Sequence, residues 1–532
     1  MSKTSKPQSR SSSSLYRKLL CLFRQARLAT RPDQNTMPPT IGPELASDPT
    51  LSPYRSTGVA FTSSSTSSSH TLPDNNHAGS LCSSPAYSSS SVSILFRDGD
   101  VDVVRVEGLR HAPIRLEARR YKSPAFAAQL LDILHSIHTP SWSERQITPD
   151  LVNIQKVSGS LTNAVFFVSC PSVPKTRTVL LRIYGPSSGN FISRPHELHT
   201  LHVLSSKYHI GPRVYGTFEN GRVEEYFDST ALTASDLRDP EVSSWIGARM
   251  AELHGVDIDA VVYDAEPSDA FERGDQLAAF KNAKSWLPSA RDVLALPTAP
   301  AKVRGNLDLD RFEREWDLYS LWLHQKEKSE SASRRVFSHN DTQYGNLLRL
   351  RTLKPGQPAH RQIIVVDFEY ASPNPAAFDI ANHFHEWTAN YHGATPHLLD
   401  PARYPSADER ANFYRAYLTH TDCHLDAPAS APVPAAAPDL SAAALAAEMA
   451  TLDGHVRLWS PASHGMWAIW GVVQAREALE DTEGGEPEFD YLGYAQCRMA
   501  GFRRELRALG VPGLELESES EPGPESASDA LP

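Results

Sequence analysis

Three polar side chains lie in two short segments, and their types and order suit the transfer of a phosphoryl group. Asp341 and Asn346 belong to the segment Ser338–Asn346, and Asp367 follows the apolar run Ile363–Val366. Phosphoryl transfer needs a residue that orients the attacking hydroxyl and accepts its proton, together with oxygen ligands for Mg²⁺. We therefore predict that Asp341 is the base and that Asn346 and Asp367 hold the metal ion.

The elements around these residues support that interpretation. Four β-branched residues precede Asp367, which predicts that its carboxylate emerges at the end of a buried strand. A single Asp or Asn in a loop more often forms a turn or a helix cap, and this alternative applies to each residue taken alone. The conjunction of the two segments favours the catalytic interpretation.

A site of this kind needs an upstream half that holds a nucleotide. The small residues Ser158, Gly159, Ser160, Leu161, Thr162 and Asn163 precede a strand-like run and could let backbone N–H groups approach phosphates. An ordinary hairpin turn explains the same residues, and the chain contains no GxxxxGK[ST] motif.

Arg182 lies in the apolar strand-like run 179–184, where a buried charge needs a partner. Glu197 on the following predicted helix could be that partner while Arg182 reaches the phosphates. An edge-strand arginine that points to water is the alternative.

Composition limits the classes of protein that this chain can be. It has 532 residues and a formal net charge of −11, which argues against a dedicated nucleic-acid binder. Its five scattered cysteines form no CxxC pair, which predicts reduced thiols and a cytoplasmic protein. The uncharged stretch 458–475 contains too many polar residues to span a bilayer, so we predict no transmembrane segment.

Uneven composition along the chain predicts its domain organisation. Residues 1–93 are rich in Ser, Thr and Pro, which predicts a disordered arm. Its basic, acid-free start is either a solvated tail, a transit peptide or a membrane-surface helix. The other predicted regions are an N-terminal module (94–149), a β-rich lobe (150–226), a helical lobe (227–512) with an Ala/Pro-rich insertion (427–447), and an acidic disordered tail (513–532).

The sequence resembles the choline/ethanolamine kinase family between about Val152 and Gly510. The segments that carry the resemblance are VSGSLTNAVFF, VLLRIYG, GPRVYGTFENGRVEEYF, SHNDTQYGNLL, VVDFEYASPNPAAFDIANHFHEW, SHGMWAIWGVVQA and YAQCRMAGFRREL. Residues 94–149 resemble the extra N-terminal module of fungal choline kinases. The resemblance implies an α+β, two-lobed protein-kinase-like fold, ATP and Mg²⁺ as co-substrate and cofactor, and often a homodimer.

By motif match, the resemblance assigns roles to further residues. Asp341 takes the role of the catalytic aspartate, and Asn346 and Asp367 take the metal roles. The residues that match nucleotide contacts are Ser158 to Asn163, Arg182, Glu225, Tyr226, Phe227 and Gln343. The segment Ser158-Gly159-Ser160 departs from the two adjacent glycines of many members, which puts the flexibility of this loop in doubt.

Aromatic residues and a carboxylate match the family's choline-lining positions, namely Tyr370, Glu386, Tyr391, Trp467, Trp470 and Tyr494. Choline is a permanent cation without an N–H group, so a site for it must use aromatic faces and carboxylates. Without the resemblance, this aromatic stripe would favour core packing. His383 and His385 are two residues apart on a predicted helix, so their side chains diverge and do not predict a metal site.

The resemblance leaves open which substrate is used. Phosphorylation of choline is our first expectation, and an ethanolamine or dual choline/ethanolamine kinase is the nearest alternative. A kinase for another small hydroxylated compound, such as an aminoglycoside, is a second alternative. A pseudokinase scaffold is the non-enzyme alternative, and intact Asp341, Asn346, Asp367 and Arg182 argue against it.

Overall fold

The computed structural model describes residues 108–143, 145–159, 163–184, 194–262, 277–421, 441–480 and 489–514, and the backbone of two short strands before them. The predicted disordered arm lies outside the described residues apart from the strand that ends at Leu95. Most of the predicted insertion and tail, at 427–440 and 515–532, also lie outside them. The domain boundaries given above therefore stay predictions.

Strands form mostly in the first half of the chain. Their bounds are β1 Ser93–Leu95, β2 Val103–Arg105, β3 His111–Ala112, β4 Asn153–Gly159, β5 Asn163–Ser169, β6 Val179–Tyr184, β7 Val214–Phe218, β8 Gly221–Glu225, β9 Ser229–Ala231, β10 Arg335–Ser338, β11 Leu347–Leu350, β12 Ile363–Val365 and β13 Ser372–Pro375.

Helices dominate the second half. Their bounds are α1 Pro124–Ser136, α2 Arg194–Lys207, α3 Pro240–His254, α4 Ile258–Val261, α5 Ala278–Leu294, α6 Ala301–Leu307, α7 Leu309–Ser329, α8 Ala376–Glu386, α9 Ala407–His420, α10 Ala442–Gln474, α11 Arg476–Glu480 and α12 Tyr491–Leu509. Short 3₁₀ turns occur at Ala118–Arg120, Pro149–Leu151, Asp236–Arg238, Tyr344–Asn346, Ala359–Gln362 and Pro401–Arg403.

The N-terminal lobe is built on a six-stranded sheet with the order β3-β7-β8-β6-β5-β4. Its strands pair antiparallel except for β3 and β7, which are parallel. The β-branched and aromatic composition of residues 164–169 and 178–184 predicts two paired strands, and Asn220-Gly221 predicts a hairpin turn; the pairing of β5 with β6 and of β7 with β8 confirms both. The aliphatic and aromatic residues that alternate along these strands bury one face of the sheet.

Helix α1 and the segment after it cover that face. Leu130, Leu134 and Trp142 are fully buried and share one hydrophobic core with Phe166 and Leu181 of the sheet. Helix α1 begins after Ser123, whose side chain accepts a hydrogen bond from the backbone N–H of Phe126. The region predicted as an N-terminal module therefore packs directly on the lobe sheet.

The C-terminal lobe is helical around two small sheets, which makes the fold mixed α+β as predicted. Strands β12, β11 and β9 form one sheet, and β10 pairs with β13 in the other. Helices α5, α7, α8, α10 and α12 contribute to one large core that also contains the buried ends of both small sheets. Within the part of the chain that the structure describes, none of the helices has the length and apolar character that a membrane crossing requires.

Candidate active site

The predicted catalytic loop lies between β10 and β11, where the backbone makes an unusual turn. Asn340 has a φ of 64°, in the left-handed region that Asn tolerates better than most residues. Its side-chain Nδ2 donates to the Tyr370 carbonyl at 2.8 Å, and its Oδ1 accepts from Asn374 at 2.8 Å. These bonds fix the turn, and Asp341 follows it with its side chain half-buried.

Asp379 on α8 binds the backbone of this loop. Its role was not predicted from the sequence. Its carboxylate accepts the backbone N–H groups of His339 and Asn340, each at 2.9 Å. His254 Nε2 lies 3.0 Å from the same carboxylate. Burial works to raise the pKa of Asp379, but these hydrogen bonds and the neighbouring histidines hold it below its ordinary value. Asp379 lies in the FDIA part of the segment VVDFEYASPNPAAFDIANHFHEW, and this position was the signal from which its role could have been predicted.

The three residues of the predicted catalytic set come together at the end of this loop. Asn346 Nδ2 donates to the Asp341 carboxylate Oδ2 at 3.0 Å and to the Asp341 carbonyl at 2.9 Å. The backbone N–H of Val366 donates to the Asn346 carbonyl at 3.0 Å, which places Asp367 beside the loop. Asp367 has a φ of 70°, a strained conformation for Asp that suits a functional position.

Two further carboxylates affect the charge state of Asp341. Its pKa is raised well above the ordinary value by burial, and then by the negative charges of Glu386 and Asp367. The hydrogen bond from Asn346 opposes this rise. A carboxyl group with a raised pKa holds a proton more readily, which suits a general base.

Arg182 forms part of a buried charge network in the N-terminal lobe. It lies opposite Arg222 in the register of β6 and β8, and both side chains bind Glu224 between them. Glu197 accepts from Arg222 at 2.8 Å. The prediction that Glu197 pairs directly with Arg182 is therefore wrong, because two adjacent arginines on one sheet face need two carboxylates and Glu224 lies closer to Arg182.

The charge of Arg182 nevertheless interacts with that of Asp367 in the catalytic set. Burial works to lower its pKa, but the charges of Glu224 and Asp367 hold the pKa above its ordinary value. The alternation of side chains along β8 places Arg222 and Glu224 on the same face, and this pattern was the missed signal for the network.

The other predicted nucleotide contacts lie at the edges of the N-terminal lobe and in the catalytic loop. Strands β4 and β5 pair up to Gly159 and Ala164, while residues 160–162 and the side chains of Ser158 and Asn163 lie outside the described residues. Glu225 ends β8, and Tyr226 and Phe227 connect it to β9, which pairs with β11 next to the catalytic loop. Gln343 is buried in that loop and accepts from the backbone of Gly345.

The predicted aromatic residues meet as a cluster beside Asp341. Trp467 and Trp470 on α10 have ring centroids 5.2 Å apart, and Trp467 lies 5.4 Å from the Tyr370 ring. Tyr494 on α12 lies 6.1 Å from Trp470. Trp470 Nε1 donates to the Tyr370 hydroxyl at 2.9 Å. The polar groups of these two side chains therefore bind each other, and their ring faces form the rest of the contact surface.

Glu386 and Tyr391 complete this cluster on the side of α8. The Tyr391 hydroxyl donates to Glu386 Oε2 at 2.6 Å, and the backbone N–H of Tyr391 donates to the hydroxyl of Tyr344 in the catalytic loop. Arg498 is fully buried and donates to Glu386 Oε1 at 2.8 Å. Arg498 was not predicted as a site residue, although it lies in the quoted YAQCRMAG segment.

Several known proteins are similar to this chain in sequence. Residues 154–503 match the family described as choline/ethanolamine kinase. The chain is 33% identical over 425 residues to a choline kinase of Schizosaccharomyces pombe, covering 73% of this chain and 91% of that protein. It is 30% identical to a choline/ethanolamine kinase of Homo sapiens, covering 66% of this chain and 80% of that protein.

Among solved structures, a choline kinase from Cryptosporidium parvum Iowa II has a similar fold, with a TM-score of 0.52 and 23% identity. The similarity covers 72% of this chain and 97% of that one. The likeness in fold and the match over most of the folded region confirm the resemblance seen in the sequence: this chain belongs to the choline/ethanolamine kinase family.

Proposed function

We propose that this protein transfers the γ-phosphoryl group of ATP to the hydroxyl of choline and so produces phosphocholine. One observation carries the proposal: the loop that holds Asp341 contacts the aromatic cluster through Tyr344 and Tyr391, and contacts the segment that leads to Asp367 through Asn346 and Val366. A base that transfers a proton between an alcohol and a nucleotide phosphate must lie between their two sites.

Asp341 acts as the base in this proposal. Its carboxylate orients the choline hydroxyl and accepts its proton while the alcohol oxygen bonds to the γ-phosphorus and the bond to the ADP oxygen breaks. One hydrogen bond from Asn346 holds the carboxylate oxygen Oδ2, and the other carboxylate oxygen is left to meet the substrate. Positioning of this kind supplies most of the rate enhancement in phosphoryl transfer.

Asn346 and Asp367 are the proposed ligands of Mg²⁺. Because Asn346 donates its amide nitrogen to Asp341, its amide oxygen Oδ1 is the atom left for a cation, and Mg²⁺ prefers such oxygen ligands. When bound, Mg²⁺ neutralises the charge that develops on the nucleotide phosphates. Arg182 adds a fixed positive charge on the same side.

The aromatic cluster is the proposed site for the trimethylammonium group. Trp467, Trp470 and Tyr370 are buried from water and supply aromatic rings, whose faces attract a cation. Glu386 is already paired with Arg498, so the negative field that it exerts on a bound cation is moderate. A site that relies on ring faces favours choline over the smaller ethanolamine, which needs hydrogen-bond acceptors for its ammonium group.

Ethanolamine kinase or dual activity is the alternative, because Glu386 and the Tyr391 hydroxyl could accept hydrogen bonds from a primary ammonium. The ratio of kcat/KM for choline to kcat/KM for ethanolamine, measured with purified full-length protein, ATP and Mg²⁺, tests this choice. We expect the ratio to exceed one, and a ratio below one would favour the alternative. The homodimer and the cytoplasmic location stay predictions.

A further inference from the structure

Arg498 on α12 is buried behind the aromatic cluster and binds two members of that cluster. Its Nη2 donates to Glu386 Oε1 at 2.8 Å, and its Nε donates to the Tyr494 hydroxyl at 2.9 Å. Its exposed fraction is 0%, so both bonds are made away from bulk solvent. A buried arginine needs such a carboxylate partner, because an unpaired charge in the interior is costly. The reaction proposed above gives Arg498 no part.

A group of buried side chains lies on the other side of the Arg498 guanidinium. Its Nη1 lies 3.4 Å from Nδ1 of His385, the residue before Glu386 in the chain. The His385 ring stacks on the His464 ring with centroids 3.9 Å apart, and Glu505 Oε1 lies 3.3 Å from His464 Nε2. Burial lowers the pKa of both histidines, so at neutral pH neither ring carries a charge that repels Arg498. The guanidinium is therefore held with Nη2 directed at Glu386.

Both carboxylate oxygens of Glu386 are already hydrogen-bonded. Oε1 accepts from Arg498, and Oε2 accepts from the Tyr391 hydroxyl at 2.6 Å. Each carboxylate oxygen has two lone pairs, so each of these donors takes one acceptor position. Glu386 therefore keeps its negative charge but offers fewer acceptor positions to a substrate.

A shortage of acceptors affects the two candidate alcohols differently. The trimethylammonium group of choline has no N–H, so it is attracted by ring faces and by charge alone. The primary ammonium group of ethanolamine has three N–H donors, as a lysine side chain has. Each N–H that is left without an acceptor in a buried site costs free energy. Occupied oxygens on Glu386 therefore disfavour ethanolamine more than choline.

We propose that Arg498 is a positioning residue that determines specificity: by occupying Glu386 Oε1, it makes the aromatic cluster select a quaternary ammonium group over a primary one. In this role Arg498 acts through Glu386 and not by contact with the substrate. The inference rests on the proposed function for its two alcohols, but it concerns the ratio between them and not the rate with either.

The ratio of kcat/KM for choline to kcat/KM for ethanolamine, measured with full-length protein, tests this role. Unfolded protein lowers both values equally and leaves their ratio unchanged, so the readout separates specificity from stability. Arg498→Met frees Oε1 for an ammonium N–H. We expect the ratio to fall about tenfold, the effect of one hydrogen bond to a charged group. The KM for ATP should change little.

Two further variants serve as comparisons. Arg498→Lys keeps a cationic donor near Oε1, so its ratio should lie between those of wild type and Arg498→Met. Arg503→Met is the matched control, because Arg503 lies on the same helix and binds Glu315 at 2.9 Å, outside the cluster. It should leave the ratio unchanged. A wild-type ratio in Arg498→Met, or the same fall in Arg503→Met, would overturn the proposal.

A crystal structure of the wild-type protein with choline decides if Arg498→Met fails to fold. Arg498 within hydrogen-bond distance of Glu386 Oε1, and without contact to choline, supports a role through Glu386. Arg498 in contact with choline, or turned away from Glu386, contradicts it.

The proposed function can fail separately from this inference. If the wild-type protein phosphorylated neither alcohol, the proposed function would be wrong, and the ratio of the two Kd values from calorimetric titration would test Arg498 without the reaction. A Kd ratio that shifts toward ethanolamine in Arg498→Met supports the inference, and an unchanged Kd ratio overturns it.

Discussion

Asn346 donates its side-chain amide to Asp341 twice, at the carboxylate Oδ2 and at the backbone carbonyl, with distances of 3.0 and 2.9 Å. These hydrogen bonds join the proposed base to a proposed metal ligand that lies five residues later in the chain. The position of the Asp341 carboxylate therefore depends on the same turn that presents Asn346.

Replacement of the base should reduce turnover without loss of stability. We expect Asp341→Asn to lower kcat by about 10²–10⁴-fold, the usual contribution of general acid–base catalysis. Its Tm should be unchanged or higher, because the variant removes a negative charge that Glu386 and Asp367 repel. Steady-state kinetics and thermal denaturation measure both effects, and a kcat within tenfold of wild type would exclude Asp341 as the base.

The two buried arginines of the N-terminal lobe should separate function from stability. Arg222→Met removes the arginine that binds Glu197 and weakens the neutralisation of Glu224, which should cost about 3–5 kcal/mol of the free energy of unfolding. Arg182→Met leaves Glu224 paired with Arg222, so its main effect should be a higher KM for ATP. Urea denaturation and ATP kinetics of both variants check this, and the reverse order of effects would contradict the assigned roles.

The aromatic cluster should govern the affinity for choline. Trp470→Leu removes a ring face, and we expect the KM for choline to rise about 2- to 30-fold, the range that cation–π energies of roughly 0.5–2 kcal/mol imply. The KM for ATP should change little, and Trp470→Phe should restore part of the loss. Trp459→Leu is the matched control, because Trp459 is equally buried on α10 but donates to Glu327 away from the site. Equal effects of both Leu variants on the KM for choline would mean that Trp470 only supports the fold.

Buried histidines should make the protein sensitive to acid. Burial is the main cause that lowers the pKa of His254, His339, His383, His385 and His464, with that of His383 lowered to about 4. Below about pH 6.5 the unfolded chain binds protons at these positions and the folded protein does not, so stability must fall as pH falls. Each such histidine contributes about 1.4 kcal/mol per pH unit.

Asp341 opposes this trend, because its raised pKa makes the folded protein bind a proton that the unfolded chain releases. One carboxyl group cannot offset several histidines. Urea midpoints at pH 7.5, 6.5 and 5.5 should therefore decrease in that order, and a constant or rising midpoint would show that the histidines are protonated in the folded state.

Local patterns were sufficient to predict many elements of the fold. Pro240 at a helix start and Gly255 after its end predict the helix Pro240–His254, and Asn220-Gly221 predicts a hairpin; the structure has both at these positions. Both depend on caps and turns whose signals lie within a few residues. The meeting of Asp341, Asn346 and Asp367 was also predictable, because their motif order fixes two adjacent loops.

Contacts between elements that are distant in the chain were harder to predict from the sequence. The partner of Arg182 was wrongly assigned because the choice between Glu197 and Glu224 depends on the register of β6 and β8. Arg498 and Glu386 are 112 residues apart and meet only when α8 and α12 pack against α10. The same packing joins His385, His464 and Glu505, which no periodicity along one helix connects.

The most direct test follows the phosphorus atom. Full-length protein, with ATP, Mg²⁺ and equal concentrations of choline and ethanolamine, should yield phosphocholine as the first and main product in ³¹P NMR spectra. Asp341→Ala should yield neither phosphorylated alcohol at a comparable rate. The absence of both products from the wild-type reaction, or their formation at the same rate by Asp341→Ala, would contradict the account.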